Sequence, residues 1–166
     1  MEIRKAEEKD LADILRIYES ARAYMAAAGN PRQWGQTNWP PISLVEEDIR
    51  IGRNYAVCKN DHIGAVFVFL KGKDIEPTYQ QIEDGRWRDD SAYGVIHRFG
   101  GDGTIKGVAD AVFSWAYAEI PHLRVDTHPD NRVMQRLLER NGFVKCGIIH
   151  VEEDNDPRYA YEKTEH

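Results

Sequence analysis

Apolar positions recur along this chain with two alternating periods, and the alternation divides it into elements. Glu2–Lys5 predicts a short first strand. Leu11, Ile14, Leu15, Tyr18, Ala21 and Met25 then fall on one side of a helix that Gly29-Asn30-Pro31 stops. Ser43, with Glu46 three residues on, predicts a capping box for a second short helix reaching about Ile51. Tyr55–Cys58 and the almost wholly apolar Ile63–Leu70 predict strands joined at Asn60-Asp61, a hairpin near the sheet centre. Residues 71–90 are mostly polar and carry Tyr79, Ile82 and Trp87, which predicts a long excursion with one helical turn. An excursion of this length is either functional or packed over an edge.

The centre of the pattern is residues 93–115. Val95 and Ile96 give a strand core, and Gly100, Gly101 and Gly103 break it within a few residues. After Thr104, apolar residues at Ile105, Val108, Ala109, Val112, Phe113 and Ala116 follow the spacing of a helix with one buried face. Pro121 ends that helix, and His122–Thr127 is the next strand. Asn131–Asn141 is another helix, with Val133, Met134, Leu137 and Leu138 on one face and Gly142 as its stop. Phe143–Val151 and Pro157–Lys163 complete the series as strands flanking an acidic turn. The order β-α-α-β-β-β-α-β-α-β-β is mixed α/β, and its middle β-α-β unit has a crossover long enough for a parallel pair.

Composition narrows the function. At 166 residues, with 42% hydrophobic and 30% charged, the chain suits one soluble domain spanning 1–166. A net charge of −6 argues against nonspecific nucleic-acid binding. No apolar run approaches a membrane span, and the charged N-terminus carries no secretion segment, so a cytoplasmic protein without a membrane partner is expected. Cys58 and Cys146 lie far apart in strand-like contexts and read as reduced structural thiols. No Cys/His cluster has metal-ligand spacing, so no metal is expected.

A glycine turn feeding a helix start is a ready anion site, because the first turn offers unpaired N–H groups and the positive end of the dipole. Gly107 has no side chain to obstruct a phosphate, Ala109 has almost none, and Lys106 adds a cation. An ordinary strand-to-helix connection would also favour glycine. The polar loop Gln33–Pro41 carries Trp34 and Trp39, which either plug the edge of the core or wall a substrate pocket.

Two stretches resemble the GNAT family of acetyl-CoA-dependent N-acetyltransferases. Leu123-Arg-Val-Asp-Thr-His-Pro-Asp-Asn131, followed by Leu137-Leu-Glu-Arg-Asn-Gly-Phe143, resembles the second half of that family. Thr104-Ile-Lys-Gly-Val-Ala109 resembles its acetyl-CoA loop, Gln/Arg-x-x-Gly-x-Gly/Ala, with Thr in the first position. Ile3-Arg-Lys-Ala6 resembles its opening. The resemblance implies a central, mostly antiparallel sheet of six to seven strands with a splayed parallel pair and about four helices. It implies that the amides of Lys106, Gly107, Val108 and Ala109 hold the pyrophosphate. Arg98 and Phe99 would offer backbone groups to the pantetheine arm, and Asn131 would bind the pantetheine or the thiol side.

Such an enzyme moves acetyl from acetyl-CoA (coenzyme A) to a primary amine of a small molecule or peptide. The amine must be neutral to attack, so a base must take its proton. His97 is the first candidate, on the strand lining the cleft; its other reading is a core histidine bonded to a neighbour. Asp126 and His128 come second, and they equally suit turn capping before Pro129. Arg98 would orient substrate or form a buried ion pair. Many family members place a tyrosine five residues before the Gly-Phe phenylalanine to protonate the sulfur; here the position is Leu138. That acid is therefore missing, supplied from elsewhere, or unnecessary. Leu138 and Thr104 also motivate the alternative, a noncatalytic CoA-binding or small-molecule sensor module on the same fold. Trp34 and Trp39 are candidates for holding a cationic amine, and the 71–90 excursion for a homodimer contact.

Overall fold

A computed structural model describes residues 1–35 and 37–165. Among these residues the elements are β1 (Glu2–Lys5), α1 (Leu11–Ala27), α2 (Ile42–Arg50), β2 (Asn54–Lys59), β3 (His62–Gly72), β4 (Tyr93–Gly101), α3 (Val108–Glu119), β5 (Leu123–Thr127), α4 (Arg132–Arg140), β6 (Val144–His150) and β7 (Pro157–Lys163). The sequence order is the predicted one. The strands form a seven-stranded sheet in the order β1-β2-β3-β4-β5-β7-β6, with β4 and β5 as its parallel pair among the described residues. Gly94 pairs with Leu123 and Val95 with Arg124.

The chain falls into two compact units, Met1–Phe69 with His97–Val108, and Leu70–Ile96 with Ala109–His166. In the first, Asn60 and Asp61 both take positive φ (53° and 64°), as a two-residue hairpin turn requires, and bring Lys59 opposite His62. Ile63 through Phe69 are all buried, so β3 is covered on both faces. Ile14, Ile17, Tyr18 and Ala21 of α1 and Val45 and Ile49 of α2 pack with Ala56, Ile63 and Val66 in one core.

Helix α2 begins at Ile42, capped by the extended Pro41 and not by Ser43. The Pro41 carbonyl accepts from the Leu44 and Val45 amides at 3.0 and 3.2 Å, which places Ser43 inside the first turn, where it cannot cap. Ile105 lies before α3, not on its buried stripe; Val112, Phe113 and Ala116 form that stripe.

In the second unit the excursion between β3 and β4, residues 73–92, is packed. Tyr79 joins Tyr93, Val95, Ile149 and Ala160 in a core, with Ile75, Ile82 and Trp87 against it. Glu83 and Ile148 exchange two backbone hydrogen bonds of 2.8 Å, which lays the excursion along β6. Two glycines permit this approach: a Cβ on Gly85 would lie 1.8 Å from the Cys146 carbonyl oxygen, and one on Gly147 would lie 2.5 Å from that of Glu83.

Candidate functional site

The predicted anion loop joins β4 to α3. The Asp102 amide donates to the Gly64 carbonyl on β3 at 3.0 Å. The amide and hydroxyl of Thr104 both donate to Asp102 Oδ1, at 3.0 and 2.6 Å. Arg16 Nη1 donates to Asp102 Oδ2 at 3.0 Å, and His62 Nε2 lies 3.2 Å from the same oxygen and 3.0 Å from Thr104 Oγ1. Because the Thr104 proton is directed to Asp102, His62 Nε2 is the donor in this group. Burial pushes the Asp102 carboxyl up, but the bonds from Thr104, Arg16 and His62 outweigh it and bring it down to about 2.

Beyond this anchored base the loop opens. Lys106 and Gly107 are exposed, and Gly107 has φ +71° with open space where a Cβ would stand. Helix α3 starts at the next residue, Val108, so the amides of Gly107–Ala109 belong to a helix start, whose first N–H groups have no intrahelical partner. Gly107 is thus required by the backbone conformation and not by crowding. The predicted diphosphate residues Lys106, Gly107, Val108 and Ala109 are contiguous, the first two exposed and the last two half-buried. The Thr104 hydroxyl is already bonded within the loop.

On β4 the three residues expected nearest the chemistry share one local feature. Arg98 has φ +45°, the left-handed region, in the middle of a strand. For a residue with a side chain this costs on the order of 1–2 kcal/mol. His97, Arg98 and Phe99 are all half-buried, following four buried residues of the same strand. The conformation is held from two sides. The Tyr18 hydroxyl of α1 donates to the Arg98 carbonyl at 2.8 Å. The Arg98 guanidinium grips Asp48 of α2 with two bonds, Nε to Oδ2 at 2.7 Å and Nη2 to Oδ1 at 2.8 Å. Arg53 Nε adds a third bond to Asp48, at 2.6 Å. Burial pushes the Tyr18 phenol up, so it remains a donor. Of the two sequence readings for Arg98, the side chain makes the ion pair. Phe99 meets Phe67 edge-to-face at 6.1 Å.

Trp34 is only 5% exposed and meets Tyr18 edge-on, with ring centroids 5.7 Å apart. Trp39 is half-buried against the same core, and its amide bonds the Trp34 carbonyl at 2.9 Å. Packing behind Tyr18 therefore describes Trp34.

The remaining candidates lie in the second unit. Asn131 caps α4, its side chain accepting from the Met134 amide at 3.0 Å. Asp126 accepts from the Tyr79 hydroxyl at 2.7 Å. His128 is 4% exposed; its Nδ1 accepts from the Asp130 amide at 3.0 Å, so Nε2 carries the proton toward Asp156 at 2.8 Å. Leu138 is fully buried. A buried polar group completes this unit. Glu162, with no exposed surface, accepts from His122 Nε2 at 2.7 Å, the Arg88 amide at 2.7 Å and Arg124 Nε at 3.1 Å.

Asp48 and Tyr18 were not among the sequence candidates. The sequence does carry a sign of the first: Val45, Asp48 and Ile49 share the buried stripe of α2, and a carboxylate on such a stripe needs a partner.

Comparison with known proteins agrees with this architecture. The profile described as "Acetyltransferase (GNAT) domain" matches residues 1–144, and the chain belongs to that family. A GNAT-family acetyltransferase from Streptococcus agalactiae superposes with a TM-score of 0.85 at 27% identity, over 99% of this chain and 95% of that one. A putative acetyltransferase from Staphylococcus aureus gives 0.70 at 26% identity, over 99% of both chains. AAC(6')-Ib, in complex with ribostamycin and coenzyme A, shares the fold with a TM-score of 0.62 at 17% identity, covering 98% of this chain and 92% of that one. No curated protein matches the sequence.

Proposed function

We propose that this protein transfers an acetyl group from acetyl-CoA to a primary amine of a small molecule or peptide. One observation carries the reading: a left-handed, exposed Gly107 with open space before it, one residue ahead of α3. A helix start with bare backbone and an adjacent Lys106 suits a diphosphate. The coenzyme A bound to AAC(6')-Ib, on the same fold, supports the same ligand class.

Acetyl-CoA supplies an acyl group activated as a thioester. The chain's own residues do the rest. The amides of Lys106–Ala109 and the Lys106 ammonium hold the diphosphate. Backbone groups at Arg98 and Phe99 would hold the pantetheine arm, and Asn131 would bind the pantetheine or the thiol side. His97 would take the proton that the amine releases as its nitrogen bonds the acetyl carbon, the carbon–sulfur bonding pair leaving with coenzyme A as its thiolate. Leu138 offers no proton to the departing sulfur. That feature favours the second reading, a CoA-binding sensor without turnover, and product formation with any amine decides between them.

The test is calorimetry. Acetyl-CoA is expected to bind, and Gly107→Glu to remove the binding. No heat with native protein at millimolar acetyl-CoA overturns the proposal.

A further inference from the structure

We propose that Asp48 is a positioning residue for the cofactor: acting through Arg98, and together with Tyr18, it fixes the turn in β4 and hence the direction in which the β4 backbone faces. The inference rests on the acetyl-CoA reading above and names a residue that touches neither substrate nor cofactor.

Three observations converge on it. First, Asp48 is a carboxylate with no exposed surface on the apolar stripe of α2. Leucine would pack such a position without the desolvation cost of a charge, and buried ion pairs are weak sources of stability. The charge therefore points to a geometric role. Second, the tethers meet on a single residue. Asp48 holds the guanidinium of Arg98 in a two-pronged grip while Tyr18 holds its carbonyl, so side chain and main chain are fixed independently, from α2 and from α1. Third, the tethered residue has the left-handed φ of +45° in the middle of a strand. A backbone in that region persists only where its surroundings over-determine it. Without the clamp, β4 would relax toward ordinary extended geometry and turn its peptide groups toward other directions.

Arg53 shapes the same clamp. Its Nε shares Asp48 Oδ1 with Arg98 Nη2, so the carboxylate is pinned on both sides and cannot rotate away from β4.

The consequence separates the two halves of the cofactor. The clamp acts on β4, which is to face the pantetheine arm. The loop anchored by Asp102 and Gly64 is to face the diphosphate. The test measures binding of two probes, acetyl-CoA and 3′-phosphoadenosine 5′-diphosphate, which lacks the arm. Tyr18→Phe removes one hydroxyl and keeps the core volume; Asp48→Asn removes the charge. Each is expected to weaken acetyl-CoA about tenfold and to leave the nucleotide within about twofold. The double variant Asp48→Asn, Arg98→Gly is expected to regain most acetyl-CoA affinity, because glycine adopts positive φ without a clamp. Equal losses for both probes, unchanged binding of both, or no recovery in the double variant would overturn the proposal while leaving acetyl-CoA as ligand. If native protein binds neither probe, the functional reading fails and this inference falls with it. Should Asp48→Asn not fold, Tyr18→Phe decides on the same two affinities.

Discussion

Gly64 on β3 faces the side chain of Ile105 so closely that a Cβ on the glycine would stand 2.6 Å from Ile105 Cδ1 and 2.9 Å from Thr104 Oγ1. The anion loop is therefore seated on a bare stretch of strand. Gly64→Ala is expected to lift the loop and to destabilise the fold by about 1–3 kcal/mol, the usual cost of overpacking. Acetyl-CoA affinity should fall with it. Chemical denaturation and calorimetry on the same variant check both.

Gly107 separates conformation from space. Its φ of +71° disfavours any side chain, while the volume in front is open. Gly107→Ala is expected to cost about 1 kcal/mol of stability, and Gly107→Asn less, because asparagine tolerates this region. Gly107→Glu should abolish diphosphate binding by repulsion. If acetyl-CoA affinity is the same in all three variants, the loop is not where the diphosphate lies.

Asp102 gives a pH signature. Its carboxyl lies at about 2 when folded against 3.8 ordinarily, so its contribution is fully present above the higher value and is lost as pH falls through the lower. Arg16 and His62 are 44% and 47% exposed in their side chains. Allowing for solvent screening, the contribution is about 1–2 kcal/mol. Native protein should exceed Asp102→Asn by that amount near neutral pH, with the gap closing in acid. Urea unfolding at stepped pH measures it.

His97→Ala tests the base directly. Turnover of a reactive amine is expected to fall by roughly 10²–10⁴, the range of general-base catalysis, with acetyl-CoA binding retained. Full activity in the variant would move the role to another group.

The legible part of this chain was its periodicity. Long apolar repeats such as Leu11–Met25 and Ile63–Leu70 announced their elements, and the glycine turn announced the helix that follows it. What escaped were features set by contacts distant in sequence. Ile105 has helical spacing, but its burial comes from Gly64, some forty residues earlier. Ser43 and Glu46 have the spacing of a capping box, yet Pro41 starts the helix sooner. The run of Gly100, Gly101 and Gly103 ends β4 at Gly101 as its glycines predict, but the packing of Gly100 is not local: a Cβ there would stand 3.0 Å from the Ala21 methyl. The turn at Arg98 has no local signature, since arginine seldom adopts positive φ and its tethers come from Tyr18 and Asp48.

The paired glycines Gly85 and Gly147 have a consequence for self-association. By letting Glu83 dock on Ile148, they occupy ladder positions along β6 that an incoming strand from another molecule would need. Replacing Gly147 with valine should expel the docked segment and bare that margin. The variant would then gain a tendency to stick to its own kind, a hazard that two missing methyl groups hold in check.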